Sequence, residues 1–372
     1  MTPHTHRRRP RPVPRVRAIA ATPARAPLAA DAALGAAATL GLAALVALAA
    51  PGEARAQDPA RELVVYTYES FVAEWGPGPA IETAFEARCG DCDVEFVALD
   101  SSAGILNRVQ LEGASTRADI VLGLDTNLMA IAEDTGLLVP SEVDTAGLTL
   151  PIEWDSDTFV PYDWSWFAFV YDTEAIDEPP ASLAELVGDP DGPKIIVQDP
   201  RTSTPGLGLL LWMKSVFGDE AGEKWAELQP RILATTKGWS EAWFSLFLQG
   251  EAPLVLSYST SPAYTMEVDG TERYQAAVFE EGHYLQVEVA ARLARSEEPE
   301  LAAEFLEFLI SPEAQESIPL GNVMYPVAEL GDALPDAFDR LIEPTETLLF
   351  DPETVRDERK AWIDEWLEAS TR

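Results

Sequence analysis

Histidine is nearly missing from this chain: of three in 372 residues, His4 and His6 lie at the amino terminus, leaving His283 alone in the body of the sequence. A multi-histidine metal centre is thereby excluded, and any Ser-His-acid or Cys-His mechanism would have to run through that one residue. Cysteine is equally scarce, with only Cys89 and Cys92, spaced C-G-D-C. Zinc would need two more ligands nearby, and a thioredoxin-type redox pair follows a strand and opens a helix, the reverse of the order here, so the pair reads as a short structural disulfide. Basic residues are few as well, 26 against 63 acids, for a formal charge of −37. A surface of that sign excludes nucleic acid as a partner. No G-x-S-x-G elbow, Walker A loop or G-x-G-x-x-G follows a strand, and although the many acids offer carboxylate pairs for glycoside chemistry, none is singled out.

The amino terminus carries an export signal. Arg7, Arg8, Arg9, Arg11, Arg15 and Arg17 form a basic region, an uncharged stretch rich in Ala and Leu runs from Ala32 to Ala50, and Ala54-Arg55-Ala56 has the small-x-small pattern of a signal peptidase site. A cleaved signal peptide over 1–56 is expected, with the mature protein beginning at Gln57 in the periplasm. The arginine pair lacks the apolar residues of a twin-arginine signal, and no Cys follows the apolar stretch to take a lipid. Beyond residue 56 there remain 18 basic and 61 acidic residues. The length left is more than one core usually supports, which points to two α/β lobes.

Apolar periodicity alternates strand and helix. Leu63 to Tyr68, Val94 to Ala98 and Asp119 to Leu124 read as strands, with helices over Pro79 to Ala87 and Ile105 to Leu111 between them. This β-α-β-α-β order predicts a parallel sheet whose ligand crevice lies beyond the carboxyl ends of the strands. A second α/β unit is expected from strand Ile195 to Val197, helices over Leu207 to Val216 and around Trp225 to Leu233, and strand Leu254 to Tyr258. Phe159 to Tyr171 and Tyr284 to Ala290 are the crossover strands between units. Ser296 is the expected cap of a helix that Pro312 stops, and Pro352 to Ala369 is amphipathic. The expected division is 57–165 for the first part of lobe 1, 166–283 for lobe 2, and 284–372 for the crossover and completion of lobe 1.

Three segments carry the binding chemistry. Ser257 to Tyr264, S-Y-S-T-S-P-A-Y, follows an apolar run with tyrosines and hydroxyls, as a small-molecule wall does; a strand end with a Ser-Pro turn would read the same way. Ser203 and Thr204 open a helix whose free amides suit an anion, or serve as an ordinary cap. Trp239, after Lys237-Gly238, is a stacking lid or a core residue. Tyr68, Ser101 and Ser102 fall just after predicted strands.

Together these segments resemble the periplasmic thiamine-binding protein family of ABC importers. The matching runs are V-Y-T-Y-E-S-F-V-A-E-W-G-P-G-P (65 to 79), A-D-I-V-L-G-L-D-T-N-L (118 to 128), Q-D-P-R-T-S-T-P-G-L-G-L-L-L-W-M (198 to 213), K-G-W-S-E-A (237 to 242), L-V-L-S-Y-S-T-S-P-A-Y (254 to 264) and E-G-H-Y-L-Q-V-E-V-A-A-R (281 to 292), in family order across the mature chain. The resemblance implies an α/β, two-lobed type II periplasmic binding protein fold with a hinge and an interlobe cleft. It implies a non-enzymatic, monomeric carrier without cofactor or metal that takes thiamine, thiamine monophosphate or thiamine diphosphate to a membrane permease and its ATPase. Carried over by position, the ligand residues are Tyr68, Ser101, Ser102, Ser203, Thr204, Trp239, Tyr258, Ser259, Thr260, Ser261 and Tyr264. Ser259 stands where the family has Thr, Ser101 and Ser102 where it has an acid and Gly, and Val323 where a relative has Trp. The rival readings are a ferric-ion binder of the same fold, using Tyr258 and Tyr264, and an exported thiamine-degrading or other hydrolytic enzyme using Cys89, Cys92 or a carboxylate.

Overall fold

The computed structural model describes residues 61–371, so the expected signal peptide lies outside the described residues. From the first apolar run onward, strand and helix alternate: β1 (Arg61–Tyr68), α1 (Gly78–Cys89), β2 (Cys92–Leu99), α2 (Ser102–Glu112) and β3 (Ile120–Asp125). β1 pairs in parallel with both β2 and β3. Every side chain from Leu63 to Tyr68 is buried, as required of a strand covered on both faces. Gly90, at φ 72, ends α1 in the left-handed region that glycine adopts without strain, and Cys89 and Cys92 are joined across the turn to β2.

β4 (Val160–Asp172) is the long element that organises the rest. After it come α3 (Leu183–Gly188), β5 (Ile195–Gln198), α4 (Thr204–Phe217), α5 (Ala221–Leu228), β6 (Ile232–Thr236), β7 (Leu254–Tyr258), α6 (Ser261–Glu267), β8 (His283–Leu293), α7 (Pro299–Leu309) and α8 (Pro352–Ser370). The strand order is β2-β1-β3-β8-β4-β7-β5-β6. Up to Trp166, β4 pairs antiparallel with β8; from Phe167 on it pairs antiparallel with β7. One strand thus belongs to two sheet halves, and β5 is parallel to β6 and β7 in the second.

Four local expectations differ from the structure. The helix around Trp225 ends at Leu228, because Pro230 enters a 3-10 turn and Ile232–Thr236, rich in β-branched residues, pairs with β5 instead. Ser261-Pro262 is the first turn of α6, Pro being suited to a position without an intrahelical N–H bond. Ser296 does not cap α7: Glu298 holds the N-cap position without a side-chain capping bond, Pro299 fixes the start, and the Ser296 hydroxyl donates to Asp119 at 2.7 Å. Finally, α8 does not pack only with the elements of the first half. Trp366 meets Trp225 of α5 edge-on at 6.4 Å and Glu365 pairs with Lys214 of α4 at 2.8 Å, so the terminal helix ties onto the second half.

Candidate functional site

Parallel strands deliver their carboxyl ends to one edge of each sheet half, and the loops there are free to hold a ligand. Residues following β1, β2, β5, β6 and β7, together with Glu288 of β8, enclose a cavity of about 330 Å³. That lies within the range of about 300 to 1,000 Å³ usual for small-molecule sites. A recess of about 60 Å³ continues it past Trp75, Asn322 and Met324.

One end of the cavity is built for negative charge. Ser203 is the N-cap of α4, in extended backbone, and its side chain caps no helical N–H. The residue lines the cavity, and its buried hydroxyl has no hydrogen-bond partner. A Cβ at Gly206 would meet the Gln198 carbonyl oxygen at 2.6 Å, so only glycine lets this first turn fold back tightly on the loop. Thr204 Oγ1 and Ser102 Oγ lie 2.9 Å apart, linking the loop after β5 to that after β2. Lys237 pairs with Asp100 at 2.6 Å between the loops after β6 and β2, and this carboxylate holds the ammonium above its ordinary pKa. Arg201 is turned away, paired with Asp199 and lying over Trp366.

The other end is acidic and aromatic. A Cβ at Gly123 would sit 2.3 Å from the Tyr68 ring, so the bare backbone of β3 makes room for that ring. Tyr68 and Tyr162 each donate to Glu288 Oε2 at 2.6 Å; Gln286 Nε2 donates to Oε1 at 2.8 Å. Asn322 Nδ2 reaches Asp163 Oδ2 at 2.5 Å and Glu288 Oε2 at 3.1 Å. Burial pushes the Glu288 carboxyl up, and burial plus the Glu288 charge pushes Asp163 well above the carboxylate range. The Tyr68 hydroxyl is likewise raised by burial and by Glu288, so it remains a donor.

Trp239 spans the two ends. Its ring stacks on Trp243 at 5.8 Å and 12°, its Nε1 donates to Ser257 Oγ at 2.7 Å, and Tyr258 lies 6.4 Å away. Trp75, 38% exposed, stands 6.5 Å from Trp239 at the rim.

Of the eleven residues carried over by resemblance, Tyr68, Ser101, Ser102, Ser203, Thr204, Trp239 and Tyr258 line the cavity. Ser259, Thr260, Ser261 and Tyr264 do not line it. Ser259 and Thr260 share Ser165 Oγ at 3.1 Å each, Thr260 donates to the Val323 carbonyl at 2.5 Å, and Ser261 meets Ser257 at 2.7 Å. These hydroxyls are spent on Ser165, the Val323 carbonyl and Ser257 because α6 starts soon after β7 and turns them inward. The Tyr264 ring faces Phe244 edge-on at 6.1 Å. Val323 is buried, with φ 58, a backbone conformation that strains a β-branched residue. Sequence reasoning missed Glu288, Asp163, Asn322 and Lys237. Glu288 left a readable signal: it is the one charged residue between Tyr284 and Ala291, and a carboxylate in a buried strand needs a reason to be there.

Comparison with known proteins places this arrangement among relatives. The profile of bacterial extracellular solute-binding proteins matches residues 80–320. The thiamine-binding periplasmic protein of Escherichia coli K12 is 53% identical over 310 residues, 83% of this chain and 94% of that one. Its namesake from Haemophilus influenzae is 43% identical over 310 residues, 83% and 92% of the two chains. Among solved structures, a periplasmic thiamin binding protein superposes with a TM-score of 0.81 at 52% identity, over 84% of this chain and 97% of that one. Iron-bound HitA from Pseudomonas aeruginosa, at 19% identity over 83% of this chain and 99% of that one with a TM-score of 0.68, shares the fold.

Proposed function

Because this chain belongs to the family of bacterial extracellular solute-binding proteins, we propose that it captures thiamine and its phosphates in the periplasm and hands them unaltered to the permease and ATPase of an ABC importer. The fold is the two-lobed periplasmic binding protein fold. The switch of β4 from β8 to β7 at Trp166 and Phe167 supports a division of the lobes there, with the cavity between them.

The single observation that carries the ligand assignment is the polarity of the cavity. A flat cation with a phosphate tail needs an aromatic wall, an acid at one end and anion donors at the other. Trp239 and Tyr258 supply the wall, Glu288 the acid, and Ser203, Thr204 and the first turn of α4 the donors. Ser101 and Ser102 flank the phosphate end, where their hydroxyls take over from an acid and a glycine. The buried set Ser259, Thr260 and Ser261 fixes the loop that carries Tyr258 rather than touching ligand.

Calorimetric titration of the mature protein with thiamine, its monophosphate and its diphosphate is the direct test. Micromolar or tighter binding of at least one form is expected. Iron bound in preference to all three, or thiamine recovered as breakdown products, would replace this reading with one of its rivals.

A further inference from the structure

Glu288 and Asp163 are register partners on β8 and β4, so their carboxyl groups sit side by side across one strand pair. Both are buried, and among the described residues no Lys, Arg or His hydrogen-bonds or ion-pairs with either. That is an unusual arrangement, since buried carboxylates are ordinarily met by a cation. The groups facing the pair are neutral or acidic from every side: Tyr68 from β1, Tyr162 from β4, Tyr258 from β7, Gln286 from β8 itself, Asn322 from the loop before Met324, and Asp125, the other register partner of Glu288, on β3. Arg359 of α8 acts on Asp125. Asp163 Oδ1 has no hydrogen-bond partner. Only one direction is open: Glu288 lines the ligand cavity.

We infer that the Glu288–Asp163 pair is the charge reader of this cleft, holding one proton on one of its two carboxyls when empty and releasing it to solvent when a cationic ligand takes its place. This rests on the proposed thiamine-binding role and adds a coupling to it. In the step, the carboxylic O–H bond breaks, its electron pair stays on oxygen, and the proton goes to buffer; the permanent positive charge of the thiazolium then neutralises the second carboxylate. Two like charges that share the Asn322 amide in low dielectric cannot both persist without a cation, which is why the empty pair keeps a proton.

The pair also has a selective consequence. A neutral ligand of the same shape leaves the proton in place and forgoes the charge contact.

The test is calorimetry of thiamine binding in two buffers of different ionisation enthalpy, repeated across about pH 6 to 8. Release of a substantial fraction of one proton is expected somewhere in that range, with affinity rising as pH rises. An analogue carrying a thiophene in place of the thiazolium should bind at least tenfold more weakly and release no proton. Glu288→Gln and Asp163→Asn should each abolish proton release, with melting temperature reporting whether each variant is folded. Tight thiamine binding by the unmodified protein with no proton exchanged at any pH would overturn the inference while leaving the thiamine role intact, and it needs no variant to fold. Absence of thiamine binding altogether would overturn both.

Discussion

His283 and Glu288 stand five residues apart on β8, both buried and both ionisable, yet they have opposite lives. His283 accepts from the Phe279 N–H through Nε2 at 3.0 Å, so its Nδ1 carries the hydrogen and donates to the Phe167 carbonyl at 2.8 Å; Trp212 covers the ring. Nothing about it is left open. Glu288 is equally enclosed but has one face on a cavity and a second acid for a neighbour. Burial alone therefore does not mark a site in this protein; an unanswered group beside empty space does. The same contrast separates Ser203, whose hydroxyl has no partner, from Ser259, Thr260 and Ser261, whose hydroxyls are all engaged.

The largest expected effect would come from charging the closed member of the pair. Burial lowers the His283 pKa from 6.5 to about 4, so the unfolded chain binds its proton first and stability is lost as pH falls from about 6.5 to about 4, by about 3 kcal/mol. Asp125, raised by burial to about 6, works the other way: the folded state holds its proton more tightly, so stability is regained as pH falls from about 6 towards its ordinary value. The two shifts oppose one another. Urea denaturation across this pH range should expose the opposition, since His283→Gln removes the side that loses stability and ought to shift the balance on acidification towards the folded state relative to the unmodified protein. A variant with the unmodified protein's pH dependence would show that His283 does not titrate as its closed setting dictates.

Within the cavity, Trp239 serves both ends at once, so its removal should outweigh any single polar change. Trp239→Ala is expected to weaken binding of every thiamine form by about 2 kcal/mol, roughly thirtyfold, in calorimetric titration. Tyr264→Ala is the matched control, an aromatic from the same sequence segment whose ring meets Phe244 rather than the cavity. If both variants lost affinity equally, the line drawn between open and closed groups would be wrong.

That line also marks how far the sequence could be read. Most of the strands and the place of the site followed from apolar periodicity and from the rule that parallel strands end at the crevice, and Tyr68, Ser101 and Ser102 are where that rule put them. What periodicity does not carry is which way a polar side chain turns once its helix begins. Ser259 to Ser261 look like site residues as a string of hydroxyls, and only the immediate start of α6 turns them inward. Glu288 is the opposite case: it sits within an apolar crossover strand in the sequence, and its partner Asp163 lies far away on β4, so the acid pair exists only after β8 and β4 register. Likewise α8 reads as an amphipathic helix from sequence, but its choice of Trp225 and Lys214 as neighbours depends on tertiary packing.

Ser203→Ala sharpens the contrast at the anion end. Removing a hydroxyl that has no partner costs the empty protein nothing, and a buried unsatisfied group is relieved, so melting temperature should hold or rise slightly. Affinity for the monophosphate and diphosphate should fall about tenfold, with that for thiamine unchanged. Ser259→Ala should do the reverse, lowering melting temperature while leaving the ratio of the three affinities alone, because its hydroxyl answers Ser165 and not the ligand.

Lys237 gives the smallest and most conditional effect. Its ammonium and the Asp100 carboxylate are both well exposed, with 64% and 58% of their side-chain surface in solvent, so their ion pair across the cavity mouth adds little to folding. A phosphate on Ser203 would compete with Asp100 for that ammonium, and the gain is only the difference between two solvated pairs. Lys237→Ala should therefore weaken binding of the phosphorylated forms by roughly threefold at low salt and less at high salt, where screening shortens its reach. Asp100→Asn should move affinity the other way, by freeing the ammonium. Opposite signs for the two variants, both vanishing in high salt and both absent for unphosphorylated thiamine, would place Lys237 on the open side of the comparison; identical signs would make the pair a simple clasp between loops.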